Sequence, residues 1–278
     1  MLLRCRKFEF IFPRPALVMG ILNVTPDSFS DGGQFATVEK AVERGLEMVR
    51  QGADLLDVGG ESSRPGATPV SEQEELRRVI PVLKALRESC PVPLSIDTIK
   101  LSVASGAIQA GASIINDVAA NRNDSEMWKL VAETGSGYIC MHCQGTPKTM
   151  QHAPHYEDVA EDVDQFFSRR IQAMSDCGIA LEQLILDPGI GFGKTLEHNL
   201  TLLGTLKRFT RHGRPVLVGI SRKSFLARLI GAEPGGKVSA SVAAACQAVR
   251  DGAQMVRVHD VAETVAAVRT TEAILAHA

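Results

Sequence analysis

Polar side chains stand at the ends of eight short apolar segments of this 278-residue chain. They are Asn23, Asp57 with Glu61, Asp97, Asn116, His142, Asp187, Lys223, and Arg257 with His259. A single Asp in such a place more often caps a turn or the next helix. Because a polar residue follows nearly every apolar segment, at the same point of each strand–helix repeat, we interpret these groups as parts of one site.

The residue types in this set indicate the ligand. Carboxylate, amide and ammonium groups can exchange paired hydrogen bonds with a flat heterocycle that carries amino, ring N–H and carbonyl edges. A sugar site would use aromatic platforms, and the chain has only one Trp and two Tyr. Arg257 and His259 follow the last apolar segment, beside Lys223, where a barrel commonly binds phosphate. The alternative for Arg257 is an ion pair across the rim.

The eight apolar segments have the length of buried strands. They are Ala16–Leu22, Asp54–Val58, Pro93–Ile96, Ser113–Ile115, Tyr138–Met141, Leu184–Leu186, Val216–Ile220 and Met255–Val258. Several are continuous Val, Ile and Leu, which is typical of parallel strands covered on both faces. Apolar residues at helical spacing lie between them, and Ser71 with Glu74 forms a capping-box pattern before a helix that runs through Leu86.

Eightfold strand–helix alternation predicts an α/β fold, a (β/α)8 TIM barrel, as one domain over residues 1–278. An open, doubly wound sheet is the alternative. The alternating segment Arg4–Pro15 predicts a short N-terminal hairpin over the bottom of the barrel. In a closed barrel the carboxyl ends of all strands share one rim, which brings the polar strand ends together.

Composition favours a cytoplasmic enzyme. The net charge is −2 with both signs interspersed, so nucleic acid is not an expected partner. No apolar run approaches the roughly 20 residues of a membrane helix, and Met1–Lys7 is not followed by a signal-peptide core. Six scattered cysteines do not form a disulfide scaffold.

Two motif-like segments do not fit the functions they suggest. Asp187–Thr195 looks like a phosphate-binding loop, but Pro188 replaces its first required glycine. Cys140 and Cys143 form a C-x-x-C with His152 and His155 downstream, but no second cysteine pair follows, which disfavours zinc. The loops 25–33 and 61–69 are rich in hydroxyls, Gly and Pro; we expect mobile lids, with plain surface turns as the alternative.

The ordered motifs resemble those of the dihydropteroate synthases, a family of pterin-binding barrel enzymes. They are Gly20–Ser30, Asp57–Ser62, Ser95–Thr98, Ile115–Asp117, Met141–Pro147, Asp187–Gly189, Ser221–Ser224 and Arg257–Asp260. The resemblance implies condensation of 6-hydroxymethyl-7,8-dihydropterin diphosphate with p-aminobenzoate, giving dihydropteroate and pyrophosphate, with Mg²⁺ as cofactor and a homodimer as the assembly.

The same resemblance implies roles for individual residues. Asp97, Asn116, Asp187 and Lys223 would hold the pterin ring and serve catalysis. Arg257, His259 and the first loop, with Asp27 and Phe29, would hold the diphosphate, and Asn23 the metal. The p-aminobenzoate pocket would be lined by Ser63, Arg64, Pro65, Phe192 and Ser224. Ser63 replaces the usual Thr of the family, which leaves sensitivity to sulfonamides open.

Two other functions are weighed against this one. A methyl-tetrahydrofolate corrinoid methyltransferase would bind a pterin in a similar barrel but would not need the Arg257 and His259 donors. A non-catalytic pterin-binding subunit should have lost polar strand ends. For the homodimer, the face of helix Ser239–Val249 with Val242, Ala245, Cys246 and Val249 could meet a partner or pack on the barrel itself.

Overall fold

The computed structural model describes residues 1–25, 34–62, 69–120, 122, 124–145, 150–151, 153–231 and 236–277, with backbone alone at 34–37. Two strands form an antiparallel N-terminal hairpin, β1 (Leu2–Cys5) and β2 (Phe8–Ile11). The predicted hairpin is therefore confirmed, and its turn passes through Arg6 with a positive φ of 56°.

Eight further strands build one parallel sheet. They are β3 (Leu17–Asn23), β4 (Leu55–Gly59), β5 (Leu94–Asp97), β6 (Ile114–Asp117), β7 (Gly137–Met141), β8 (Leu184–Asp187), β9 (Leu217–Gly219) and β10 (Met255–Val258). Their order is β8-β7-β6-β5-β4-β3-β10-β9, and a parallel bridge between Leu186 and Val216 links the two ends. The sheet thus curls into a nearly closed barrel, and the predicted TIM-barrel fold is confirmed.

Helices alternate with the strands and cover the outer face. They are α1 (Gln34–Arg50), α2 (Glu72–Ser89), α3 (Leu101–Ala110), α4 (Ser125–Thr134), α5 (Val159–Asp176), α6 (Leu196–Gly204), α7 (Ser224–Ile230), α8 (Gly236–Arg250) and α9 (Val261–Leu275). Short 3-10 helices lie at Leu181–Gln183 and Leu206–His212. Ser71 caps α2 as predicted, since its hydroxyl accepts from the Glu74 N–H; the Glu74 carboxylate instead pairs with Arg77 and Arg78.

The core has two parts. Residues between the sheet and the helices form the larger one. The smaller one fills the lower half of the barrel, where side chains of seven barrel strands meet the hairpin residues Leu3, Cys5, Phe10 and Phe12. Burial of each large apolar side chain contributes about 1.5–3 kcal/mol. The hairpin therefore covers the bottom of the barrel, opposite the rim that carries the polar strand ends.

The proposed dimer face of α8 is partly used within the barrel. Ala245 lies in the main core, and Val249 packs against that core while remaining half-buried. Among the described residues, none of the helices combines the length and the apolar character required to cross a bilayer.

Candidate active site

The polar strand ends form a cup above the apolar bottom of the barrel. Asn23, Asp97 and Asp187 are the last residues of β3, β5 and β8. Asn116 and Arg257 lie one residue before the ends of β6 and β10. Residues on each strand alternate between the two faces of the sheet, so the apolar layer below and the polar layer here belong to the same inward-facing series.

One carboxylate joins several strands at the floor of this cup. The Asp57 side chain, fully buried on β4, accepts at Oδ2 from Asn116 Nδ2 at 2.9 Å and from Arg257 Nε at 2.5 Å. Arg257 Nη2 donates to Asp97 Oδ2 at 2.7 Å. Predicted residues from β5, β6 and β10 thus form one network, and Arg257 makes the ion pair that was its alternative role.

The environment of Asp97 disfavours its ionised form. Burial, together with the nearby Asp57, Glu75 and Asp117 charges, raises the pKa of Asp97 to about 7, although Arg257 opposes the shift. Loss of water around a carboxylate favours its neutral form unless a cation compensates. Asp97 consequently titrates near neutral pH, which is typical of a group that takes part in binding or chemistry.

Lys223 lies on the other side of the cup, beside Asp187 and Phe192. Its ammonium donates to the Ile190 carbonyl and lies 4.5 Å from the centre of the Phe192 ring. Burial lowers the pKa of Lys223 to about 8, and the Asp187 charge limits this fall. Burial also raises the pKa of Asp187, whose Oδ1 accepts from the Gly189 N–H at 2.7 Å. A cation, an anion and an aromatic face therefore adjoin the Asp97 network.

The loop after β8 holds Phe192 through a buried lysine. Lys194 Nζ donates to the Phe192 carbonyl at 2.9 Å and lies 3.0 Å from His142 Nδ1 and 3.4 Å from the His142 carbonyl. Burial lowers the pKa of His142 well below its ordinary value, so the neutral ring can accept at Nδ1. Gly189, with φ +67°, is required here because a Cβ would lie 1.8 Å from the His142 carbonyl oxygen.

Asn23 and His259 extend the cup toward β3 and β10. A Cβ on Gly59 would lie 3.7 Å from Asn23 Oδ1 and 3.6 Å from Asp97 Cβ, so the missing side chain opens the space between them. The Ser221 hydroxyl accepts from the His259 N–H at 3.1 Å and lies 3.0 Å from its Nδ1. Both donors predicted for phosphate binding are therefore fixed by neighbours on this rim.

The remaining predicted residues divide into two groups. Ser224 is exposed at the start of α7. The others lie outside the described residues: Asp27, Phe29, Ser63, Arg64 and Pro65. Where the second loop leaves the barrel, Lys100 pairs with Glu61 and with the buried Glu75.

From the sequence, Asp57 was predicted to belong to the polar set but was given no individual role, and neither Lys194 nor Lys100 was singled out. For Asp57 a signal was present, because an acidic residue inside an otherwise apolar strand needs a partner. The sequence carries no sign of the burial of Lys194 or of the two ion pairs of Lys100. Among the described residues, no group of three His, Cys, Asp or Glu could hold a metal ion, and His152 of the C-x-x-C segment lies outside them.

Comparison with known proteins agrees with this geometry. The model of the family described as "Pterin binding enzyme" matches residues 19–259. The dihydropteroate synthase of Escherichia coli K12 is 50% identical over 260 residues, which cover 93% of this chain and 91% of that protein.

Solved structures extend the likeness to three dimensions. The dihydropteroate synthase of Yersinia pestis, solved with a sulfonamide drug complex, superposes with a TM-score of 0.91 at 46% identity and full coverage of both chains. The Xanthomonas albilineans enzyme in complex with 7,8-dihydropteroate gives a TM-score of 0.89 at 44% identity, covering 99% of each chain. This chain belongs to the pterin binding enzyme family, among the dihydropteroate synthases.

Proposed function

We propose that this chain condenses 6-hydroxymethyl-7,8-dihydropterin diphosphate with p-aminobenzoate, forming 7,8-dihydropteroate and pyrophosphate. The observation that carries the proposal is the cup in which Asp97, Asn116 and Arg257 form one hydrogen-bonded network beside Asp187 and Lys223. Near-full-length relatives that carry the name dihydropteroate synthase support the same reaction.

The pterin is the ligand that fits the cup. Asp97 and Asp187 accept hydrogen bonds from the amino and N–H groups of the ring, and Asn116 adds an amide. Lys223 donates to a ring carbonyl or nitrogen. Phe192 supplies an aromatic face beside Lys223, 4.5 Å from its ammonium. The paired donors and acceptors of a flat heterocycle are thus matched from opposite sides.

The chemistry follows from charge and position. The bond between the pterin methylene and the diphosphate oxygen breaks, and its electron pair leaves with the diphosphate. The methylene then carries positive charge shared with the ring, which the carboxylates of Asp97 and Asp187 stabilise. The nitrogen of p-aminobenzoate forms the new C–N bond and releases a proton. Positioning of the amine, rather than a strong base, completes the reaction.

We propose Arg257 and His259 as diphosphate ligands. A guanidinium and an imidazole are suitable donors to phosphate oxygens. Arg257 is shared between Asp57 and Asp97 in the described structure. These two contacts involve Nε and Nη2, and a guanidinium has five N–H donors, so Arg257 can also donate to phosphate oxygens.

The described residues fit a magnesium ion of the kind that accompanies a diphosphate. Mg²⁺ prefers oxygen ligands, keeps several waters and is commonly held by few protein groups together with substrate phosphates. Asn23 offers an amide oxygen beside the gap at Gly59. When bound, the ion would neutralise charge on the leaving diphosphate. We propose Asn23 as its protein ligand.

Two further features stay predictions. We propose a homodimer and a cytoplasmic location. Sedimentation at micromolar concentration tests the dimer, and a single monomeric species would discard it. p-Aminobenzoate and sulfonamides would share the pocket near Phe192, and competition of a sulfonamide against p-aminobenzoate in the turnover assay tests that site.

The function is tested by incubation of the purified chain with the pterin diphosphate, p-aminobenzoate and Mg²⁺. We expect pyrophosphate and dihydropteroate in equal amounts, and no pyrophosphate without p-aminobenzoate. Pterin binding with neither product would contradict the proposal and favour a non-catalytic pterin-binding protein. Methyl transfer from methyl-tetrahydrofolate to a corrinoid would favour the methyltransferase.

A further inference from the structure

Asp57 lies beneath the site and contacts two of its residues. It is fully buried, at an inward position of β4, and one oxygen, Oδ2, accepts from both Asn116 and Arg257. Asp57 is thus well placed to control two groups that face the ligand while it is itself shielded from the opening of the cup.

The contact between Asp57 and Asn116 fixes which end of the amide a ligand meets. An ionised carboxylate only accepts hydrogen bonds, so Asn116 must turn its NH₂ group toward Asp57. The amide oxygen is then the atom that Asn116 can present to a ligand. An amide that could rotate freely would present a donor or an acceptor with little preference.

The same carboxylate orients Arg257. The guanidinium is planar, and its Nε contact with Asp57 and Nη2 contact with Asp97 fix the direction of the plane. If a phosphate oxygen displaces Asp97, the Nε contact with Asp57 still holds the guanidinium at the floor of the cup.

Asp57 is poorly explained as a residue that serves stability. Its second oxygen, Oδ1, is buried without a hydrogen-bond partner among the described residues. Ser95, opposite Asp57 in the β4–β5 register, also has a buried hydroxyl without such a partner. Buried ion pairs often contribute less than well-packed apolar residues of the same size. The carboxylate is therefore better accounted for by the orientation it imposes on its neighbours.

We infer that Asp57 is a positioning residue, which makes Asn116 a hydrogen-bond acceptor toward the pterin and holds Arg257 for the diphosphate. The inference rests on the proposed function. It predicts that Asp57 controls recognition of the pterin substrate and leaves recognition of p-aminobenzoate unaffected.

The first test is Asp57→Asn, which keeps the size of the side chain and removes the charge. We expect kcat/KM for the pterin diphosphate to fall at least 30-fold (on the order of 2 kcal/mol), while KM for p-aminobenzoate at saturating pterin stays within twofold. An equal effect on both substrates would overturn the inference. Asp164→Asn is the matched control, because Asp164 is equally buried but pairs with Arg211 and His212 beside α5 instead. We expect it to change the ratio of the two substrate constants by less than threefold.

The second test is a swap of the two side chains, Asp57→Asn with Asn116→Asp. The new amide donates to one oxygen of the new carboxylate, whose other oxygen is again an acceptor toward the ligand. We expect kcat/KM for the pterin diphosphate to be at least tenfold higher in the swap than in Asp57→Asn alone. A swap no better than the single variant would overturn the inference.

Folding and the proposed function are controlled separately. If Asp57→Asn does not fold, the swap is compared with Asn116→Asp alone, which places two carboxylates face to face. The swap must then exceed it at least tenfold in kcat/KM for the pterin. Absence of turnover in the unmodified chain would refute the proposed function, whereas turnover with an ineffective swap would refute only the role of Asp57.

Discussion

The buried ammonium of Lys194 should make the stability of this protein depend on pH in a defined direction. Burial lowers the pKa of Lys194 from 10.5 to about 7. At ~1.36 kcal/mol for each pH unit, this fall corresponds to a penalty of roughly 5 kcal/mol in the folded state at acidic pH. Because the pKa is lower in the folded state than in the unfolded state, the penalty is complete below pH 7. It disappears as the pH rises toward 10.5.

Lys194→Met removes this titration. Between pH 7.5 and 9.5 the penalty in the unmodified protein shrinks by about 2.5 kcal/mol, as the two pKa values require. The variant also loses the hydrogen bonds to Phe192 and His142, but that loss is the same at both pH values. From pH 7.5 to pH 9.5, the free energy of unfolding of the unmodified protein should therefore rise by about 2.5 kcal/mol relative to that of the variant.

Urea unfolding at several pH values measures this difference. Trp128, the only tryptophan and a buried one, reports the loss of tertiary structure. Lys129→Met is the control, since Lys129 is exposed on the next position of α4 and should give no such slope between pH 7.5 and 9.5. A difference between the unmodified protein and Lys194→Met that stays constant within 0.5 kcal/mol (a threshold of about RT) would refute the reasoning. It would mean that water reaches the ammonium in the folded state.

Three further outcomes are expected. The profile of kcat/KM for the pterin diphosphate should be bell-shaped, rising as Asp97 ionises near pH 7 and falling as Lys223 loses its proton near pH 8, and a flat profile from pH 6 to 9 would contradict this. Asp97→Asn and Lys223→Ala should each lower kcat about 10²–10³-fold without loss of the fold, measured by turnover and thermal unfolding, and near-normal kinetics would exclude the residue from the pterin site. Gly189→Ala should destabilise the protein by more than about 3 kcal/mol in urea unfolding, because the new Cβ would collide with the His142 carbonyl. Gly135→Ala, with a similar φ and no atom within 4 Å of the new Cβ, should cost only about 1–2 kcal/mol. Equal losses would show that backbone strain alone matters at both positions.

The sequence determined the order of elements and the positions of most strand ends. Apolar runs without alternation need burial on both faces of a strand. When such runs alternate with helical patterns, they are typical of a parallel sheet with helices on both sides or around a barrel. The last predicted strand matches β10 at both ends, and the others differ by one or two residues. Strand ends were accurate because a buried strand must stop where the chain turns polar, and this change is visible in the sequence itself.

The sequence also predicted that Asp97, Asn116, Asp187, Lys223 and Arg257 would lie near one another, and the structure brings them together at one rim. It could do so because parallel strands in a closed barrel bring their carboxyl ends to a single rim. Closure was the only long-range assumption needed. The side chains then had to meet, although the sequence could not tell which of them bond to one another.

Only the tertiary structure decided the partners and the burial of each group. Asp57 contacts Asn116, which lies 59 positions further along the chain, and Arg257, which lies 200 positions further. In the sequence, Lys194 is an ordinary loop lysine. In the fold, it lies beside the end of β7, where His142 Nδ1 accepts a hydrogen bond from its ammonium. Burial, and with it the pKa of Lys194, depends on atoms brought together from distant segments. Local sequence fixes where the chain becomes polar, whereas the packing of several strands fixes what those polar groups can do.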